Sequence, residues 1–275
     1  MNNTVAAIRS FMWNDDYQEV LARNVLRLRE GQTVADVGCG DGYLSRTYYP
    51  YVHPGGSFTG YDVDREALSM AAGLLDDHPD WNLSFEEADA YALPAEDGSV
   101  DRVVCQTLLM HLAEPERAID EMLRILRPGG WIVCMEPDML LSSLSRYYPD
   151  DTDEQWLDKA GQRLRQFTAM QEAGRGDFRI GRKLPDIFSR KGLRNVEMRL
   201  NDAVYQLIPP YEPRRERGYR KFMEQSLKPS GGTGPFGQQG AEADGAHWEQ
   251  LKEQTLLTHV TNMLYIVSGQ KENHS

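Results

Sequence analysis

The chain has 275 residues, 40% hydrophobic and 26% charged, enough for one large α/β domain, or a domain with a sizeable insertion, around a proper core. A formal net charge of −12 argues against nucleic-acid substrates and anionic membranes, which recruit positive surfaces. No apolar run approaches the roughly 20 residues of a membrane span, and Met1 to Ser10 lacks the basic start and apolar core of a secretory signal, so a cytoplasmic protein is expected.

In chain order, Asp15 to Glu30 carries Val20, Leu21, Val25 and Leu26 on one stripe and predicts an N-terminal helical cover over residues 1–30. Strands and helices then alternate. Thr33–Val37 reads as a buried strand, followed by a glycine-rich turn and a helix over Tyr43–Tyr49. Ser57–Tyr61, Leu83–Glu86, Val100–Cys105 and Trp131–Met135 read as further strands, with helices over Asp64–Asp76 and Pro115–Leu126. Parallel strands need such long crossovers, so the pattern predicts a doubly wound, mostly parallel α/β sheet. Arg127-Pro128-Gly129-Gly130 is read as the helix stop and turn before the fifth strand.

After Glu136 the rhythm changes. Met139 to Lys191 is read as a mainly helical insertion which, with a later one, covers the active site. Strand signals return at Val196–Leu200 and Ala203–Leu207. A second insertion over about residues 212–257 holds helices at Pro213–Leu227 and His247–Leu257 around the Gly/Pro-rich loop Pro229–Gly240. Met263–Val267 closes the chain as an apolar strand. Cys39, Cys105 and Cys134 are an odd number without a Cys-x-x-Cys pair, and read as small buried residues of a reducing compartment; no metal site is expected.

The chemistry concentrates in Asp36-Val37-Gly38-Cys39-Gly40-Asp41-Gly42. A strand runs into glycines at alternate positions and then into a helix, where backbone can approach a ligand closely. Asp62, twenty residues beyond Gly42 at the end of the second strand, suits the hydroxyls of a ribose. A dinucleotide fingerprint counted from Gly38 would need a third glycine where Tyr43 stands.

The Asp-x-Gly-x-Gly-x-Gly run resembles the signature loop of class I S-adenosylmethionine-dependent methyltransferases. Glu87-Ala88-Asp89-Ala90, Ser99 to Cys105, His111-Leu112, Glu121, Arg124-Ile125-Leu126 and Pro128-Gly129-Gly130 follow in the family's order. They are similar to its small-molecule branch, which includes the ubiquinone and menaquinone C-methyltransferases; the match spans roughly residues 30–137. The resemblance implies a seven-stranded Rossmann-like methyltransferase domain over residues 31–275, with an antiparallel last strand. It also implies S-adenosyl-L-methionine as cofactor, S-adenosyl-L-homocysteine as product and a small-molecule acceptor. It assigns the cofactor to Asp36, Gly38, Gly40, Gly42, Asp62, Val63, Asp89, Ala90 and Gln106, with Tyr17 folding over it from the N-terminal segment.

His111 is the first candidate for a general base, because it follows the fourth strand closely and imidazole titrates near neutrality. Glu136, ending the fifth strand, is the second. The Asn/Asp-Pro-Pro-Tyr/Phe motif of enzymes that methylate exocyclic amines is replaced by Gln106-Thr107-Leu108-Leu109, and the later Pro209-Pro210-Tyr211 is a decoy. Phe11, Trp13, Tyr17, Tyr147, Tyr148, Tyr205 and Tyr211 are aromatic candidates for an acceptor cavity. The competing readings are a nicotinamide-dependent oxidoreductase on a similar fold and an S-adenosylmethionine-binding protein without catalysis.

Overall fold

Val34, Ala35, Asp36 and Val37 are all buried in β1 (Thr33–Val37), a strand that therefore needs cover on both faces. The computed structural model describes residues 17–201, 203–213, 215–220 and 249–273. β1 is the middle of a parallel set with β2 (Ser57–Asp62), β3 (Leu83–Glu87), β4 (Val100–Gln106) and β5 (Leu126–Pro137). β6 (Arg194–Leu200) and β9 (Leu264–Gln270) complete a seven-stranded sheet of order β3-β2-β1-β4-β5-β9-β6, in which β9 runs antiparallel to both neighbours. This is a doubly wound, mostly parallel α/β sheet.

The helices between parallel strands start where local chemistry favours them. Asp64 caps Arg65–Ala72 by accepting the amides of Glu66 and Ala67 at 2.9 and 3.2 Å. Pro115 opens Pro115–Ile125, which buries Ala118, Ile119, Met122 and Ile125 on one face. Val100 pairs with Leu126 and Arg102 with Trp131, so the register between β4 and β5 shifts at residues 127–130, which hold the Pro-Gly-Gly run as an irregular start to β5. The motif residues Glu121 and Arg124 tie down the preceding connection. Glu121 accepts the Leu93 amide at 2.8 Å, and Arg124 donates to the carbonyls of Leu93 and Ala95 at 2.9 Å.

The chain divides into two compact units. The first comprises residues 17–138, 170–200 and 264–273 and contains the whole seven-stranded sheet. The second comprises Met139–Ala169 and the described part of Asn201–Met263. Its core is Tyr148, Tyr205, Leu207, Tyr211, Tyr219, Leu251, Leu256 and Val260. Ala203–Leu207 contributes β7 (Val204–Leu207), which pairs only with β8 (Thr258–Thr261), a strand the sequence pattern did not announce. Phe11 and Trp13, most of Pro213–Leu227 and all of Pro229–Gly240 lie outside the described residues. Among the described residues, no helix is long and apolar enough to cross a membrane, and no group of three or more His, Cys, Asp or Glu side chains converges on a metal position.

Candidate functional site

The glycine loop leaves the carboxyl end of β1 with positive φ at Gly38 (73°), Gly40 (52°) and Gly42 (75°), a region closed to most side chains. A methyl group added at Gly38 would lie 2.9 Å from Leu108, and one at Gly42 2.9 Å from Leu74, whereas at Gly40 it would meet nothing within 4 Å. Gly40 thus presents bare backbone to open space. Cys39 faces the other way, buried against Gly60. Burial pushes its thiol pKa up, and the charges of Asp36, Asp62 and Asp41 push it further in the same direction. Three carboxylates, those of Asp36, Asp41 and Asp62, thus stand near the loop.

Asp62 closes the loop from β2. Its Oδ2 accepts the Gly40 amide at 2.8 Å and its Oδ1 the Asp64 amide at 2.9 Å, and the side chain stays partly exposed. Val63, next in the chain, is 65% exposed, an apolar surface beside that acid. The third strand leads into Asp89, which is exposed and accepts the Tyr91 amide at 2.9 Å, and into buried Ala90. The Ala88 amide bonds the Asp62 carbonyl at 2.9 Å, which ties this turn to the end of β2. Gln106 ends β4 half-buried. The strand ends thus bring together Gly38, Gly40, Gly42, Asp62, Val63, Asp89 and Gln106.

Two expected residues are placed differently. Asp36 is fully buried and accepts the Ser45 hydroxyl at 3.1 Å, so its carboxylate lies in the interior beneath the loop. Glu136, expected as a second base, is also fully buried. Its carboxylate accepts the amides of Leu108, Leu109 and Met110, which leaves it no route to an acceptor. Burial pushes its pKa up to about 7 against the pull of those three amides.

His111 lies on the short 3-10 turn Leu109–His111, exposed, with its ring edge-to-face on Phe178 at 5.6 Å. Partial burial lowers its pKa below the ordinary 6.5, which favours the neutral imidazole. A cleft of about 710 Å³ opens beside Leu112, the next residue, with Pro115, Ile180 and Ile187 among its apolar walls.

Tyr17 immediately precedes the short helix Gln18–Val20, makes no side-chain capping bond to it, and is half-exposed. The anchor next to it had no sequence signal: Gln18 donates to the Tyr43 hydroxyl at 3.3 Å and accepts from Tyr48 at 2.6 Å, on the helix that follows Gly42. Arg102, buried in β4, donates to the carbonyls of Leu26 and Arg27 at 3.0 and 2.9 Å and pins the end of the same segment. Of the aromatic candidates, Tyr148, Tyr205 and Tyr211 form the second unit's core. Tyr205 donates to the Arg215 carbonyl and Tyr211 to that of Leu256. Tyr147 stays about half exposed, stacked on His259 at 5.1 Å.

Parts of the chain are similar to known proteins. The profile of a methyltransferase-domain family matches residues 35–134. An uncharacterized 37.1 kDa protein in a transposon of Streptomyces fradiae is 37% identical over 134 residues, which are 49% of this chain and 37% of that protein. A ubiquinone/menaquinone biosynthesis C-methyltransferase of Pseudomonas paraeruginosa is 35% identical over 118 residues, 42% of this chain and 46% of its own. The chain thus spans less than half the length of either relative. Haemonchus contortus phosphoethanolamine N-methyltransferase 2, solved with S-adenosyl-L-methionine, shares the fold at 15% identity with a TM-score of 0.56, covering 98% of this chain and 57% of that one.

Proposed function

Because residues 35–134 match a methyltransferase-domain family, we propose that the chain binds S-adenosylmethionine and transfers its methyl group to a small organic acceptor. The observation that carries this reading is the glycine loop, with bare backbone at Gly40 facing open space and its amide held by Asp62. The residues fit the group. Gly40 leaves room for the amino-acid end, Asp62 has lone pairs for ribose hydroxyls beyond those used by the loop, and Val63 offers an apolar face for a planar base. Asp89 and Ala90 are assigned to the adenine edge, Gln106 to the methionine side, and Tyr17 to the cover. The acidic surroundings of Cys39 favour an ammonium and a sulfonium over the phosphates of a nicotinamide dinucleotide.

S-adenosylmethionine supplies an electrophilic methyl on a good leaving group, and S-adenosylhomocysteine is the product. The protein's work is then alignment and exclusion of water. His111, exposed on its turn and favoured in its neutral form, is the group placed to take a proton from an acceptor that must lose one. Glu136 is not.

The Pseudomonas relative named for quinone biosynthesis makes quinone precursors the first acceptors to try, with phenols, amines and carboxylates beside them in a labelled-methyl screen. Three free thiols, all buried, support a reducing, cytoplasmic setting. Calorimetry with S-adenosylmethionine, S-adenosylhomocysteine and NAD tests the cofactor directly. Binding of both sulfur nucleosides and not of NAD is expected, and failure of both to bind refutes the reading.

A further inference from the structure

Four consecutive amides beyond β4 are taken up by two consecutive residues of β5. Thr107 donates to the Met135 carbonyl at 3.0 Å. Leu108 and Leu109 donate to Glu136 Oε1 at 2.9 and 2.8 Å, and Met110 to Oε2 at 3.3 Å. A carboxyl with no solvent exposure is tolerated only where donors converge on it in this way. The capture holds Thr107 at a φ of 51°, a conformation that a β-branched residue rarely adopts. It also settles where Leu108 goes. That side chain packs on the glycine loop, so close that a Cβ at Gly38 would lie 2.9 Å from Leu108 Cδ1. His111 follows on the same turn, its amide bonded to the Leu108 carbonyl at 3.0 Å.

We propose that Glu136 is a positioning residue for the site: through Leu108 it sets the Gly38 end of the glycine loop, and through the same turn it sets the His111 imidazole. It touches neither cofactor nor acceptor. The loop half of the proposal rests on the reading that this loop holds S-adenosylmethionine; the His111 half does not depend on any ligand.

Two substitutions separate the roles. Glu136→Gln keeps an oxygen for Leu108 and Leu109 but turns an amide N–H₂ against the Met110 N–H, whereas Glu136→Ala removes every acceptor. S-adenosylhomocysteine affinity is measured by calorimetry. The His111 ring is titrated by proton NMR, its signal identified by its loss in His111→Ala. Glu136→Gln is expected to bind about tenfold more weakly, one hydrogen bond's worth, and Glu136→Ala more weakly still. In both, His111 titrates closer to its ordinary 6.5 as the contact with Phe178 loosens.

Wild-type affinity and an unmoved His111 titration in folded Glu136→Gln overturn the proposal. That variant decides if Glu136→Ala fails to fold. If the wild-type chain binds no S-adenosylhomocysteine, the cofactor reading falls separately. The His111 titration then decides alone, and an unmoved signal overturns the positioning role.

Discussion

Oδ2 of Asp62 accepts the backbone N–H of Gly40 at 2.8 Å, a bond that closes the glycine loop across 22 residues of sequence. The acid thereby has a structural duty before any ligand arrives. Asp62→Ala removes both the loop's acceptor and the proposed ribose contact. We expect it to weaken S-adenosylhomocysteine binding by at least about tenfold, since hydrogen bonds to charged groups contribute about 1.5–3 kcal/mol each. Calorimetry checks this, and unchanged affinity would show that the acid serves the loop alone.

Gly38 and Gly40 separate conformational strain from steric fit. Both have positive φ, so alanine at either costs about 1 kcal/mol or more in stability. Gly38→Ala also drives a methyl into Leu108, whereas Gly40→Ala meets open space. Urea melts should therefore rank Gly38→Ala as the less stable. Gly40→Ala should still lose most cofactor affinity, because its methyl enters the space assigned to the ligand. Equal stability of the two would contradict the packing described.

Removal of the Arg102 guanidinium should loosen the N-terminal segment. Arg102→Met leaves the carbonyls of Leu26 and Arg27 without this buried donor, at a cost of roughly 2–4 kcal/mol in unfolding free energy. Hydrogen exchange should rise first between residues 18 and 28. A urea midpoint equal to wild type would rule out this anchoring role.

Glu136 makes stability depend on pH in a stated direction. Its carboxyl is pushed up to about 7 from an ordinary 4.5, so between those values the folded chain keeps a proton that the unfolded chain releases. Its contribution is complete below pH 4.5 and falls as pH rises towards 7. Stability of the wild type relative to Glu136→Gln should therefore decline from pH 5 to pH 8. A flat difference across that window would place the folded pKa near its ordinary value.

His111 bears on turnover and not on cofactor binding. With an acceptor that must lose a proton, His111→Ala should slow methyl transfer by about 10²–10⁴-fold, the usual range for one general base. Its affinity for S-adenosylhomocysteine should stay close to wild type. Single-turnover rates at saturating cofactor test this, and an unchanged rate removes His111 from the chemistry.

The sequence by itself determined the parallel part of the sheet and the glycine loop, because both are written in local terms. Buried strands such as Thr33–Val37 are short apolar runs, the Asp64 cap stands one residue before its helix, and positive φ at Gly38, Gly40 and Gly42 requires the residue type found there. Asp62 was legible for the same reason, as an acid at a strand end. Only the tertiary structure decided what the polar groups do once buried. Glu136 reads in sequence as a base at a strand end, yet it serves amides 26 to 28 residues away. Gln18 stands outside every motif and nothing near Arg102 names its partners, yet the two hold the N-terminal segment over separations of 25 to 76 residues. Tyr205 and Tyr211 look available for an acceptor but pack a core with β8, whose partner β7 lies outside the main sheet. Hydrophobic period and glycine conformation are properties of neighbouring residues; hydrogen-bond partners in a dry interior are chosen by which surfaces the fold brings together, and no local pattern records that choice.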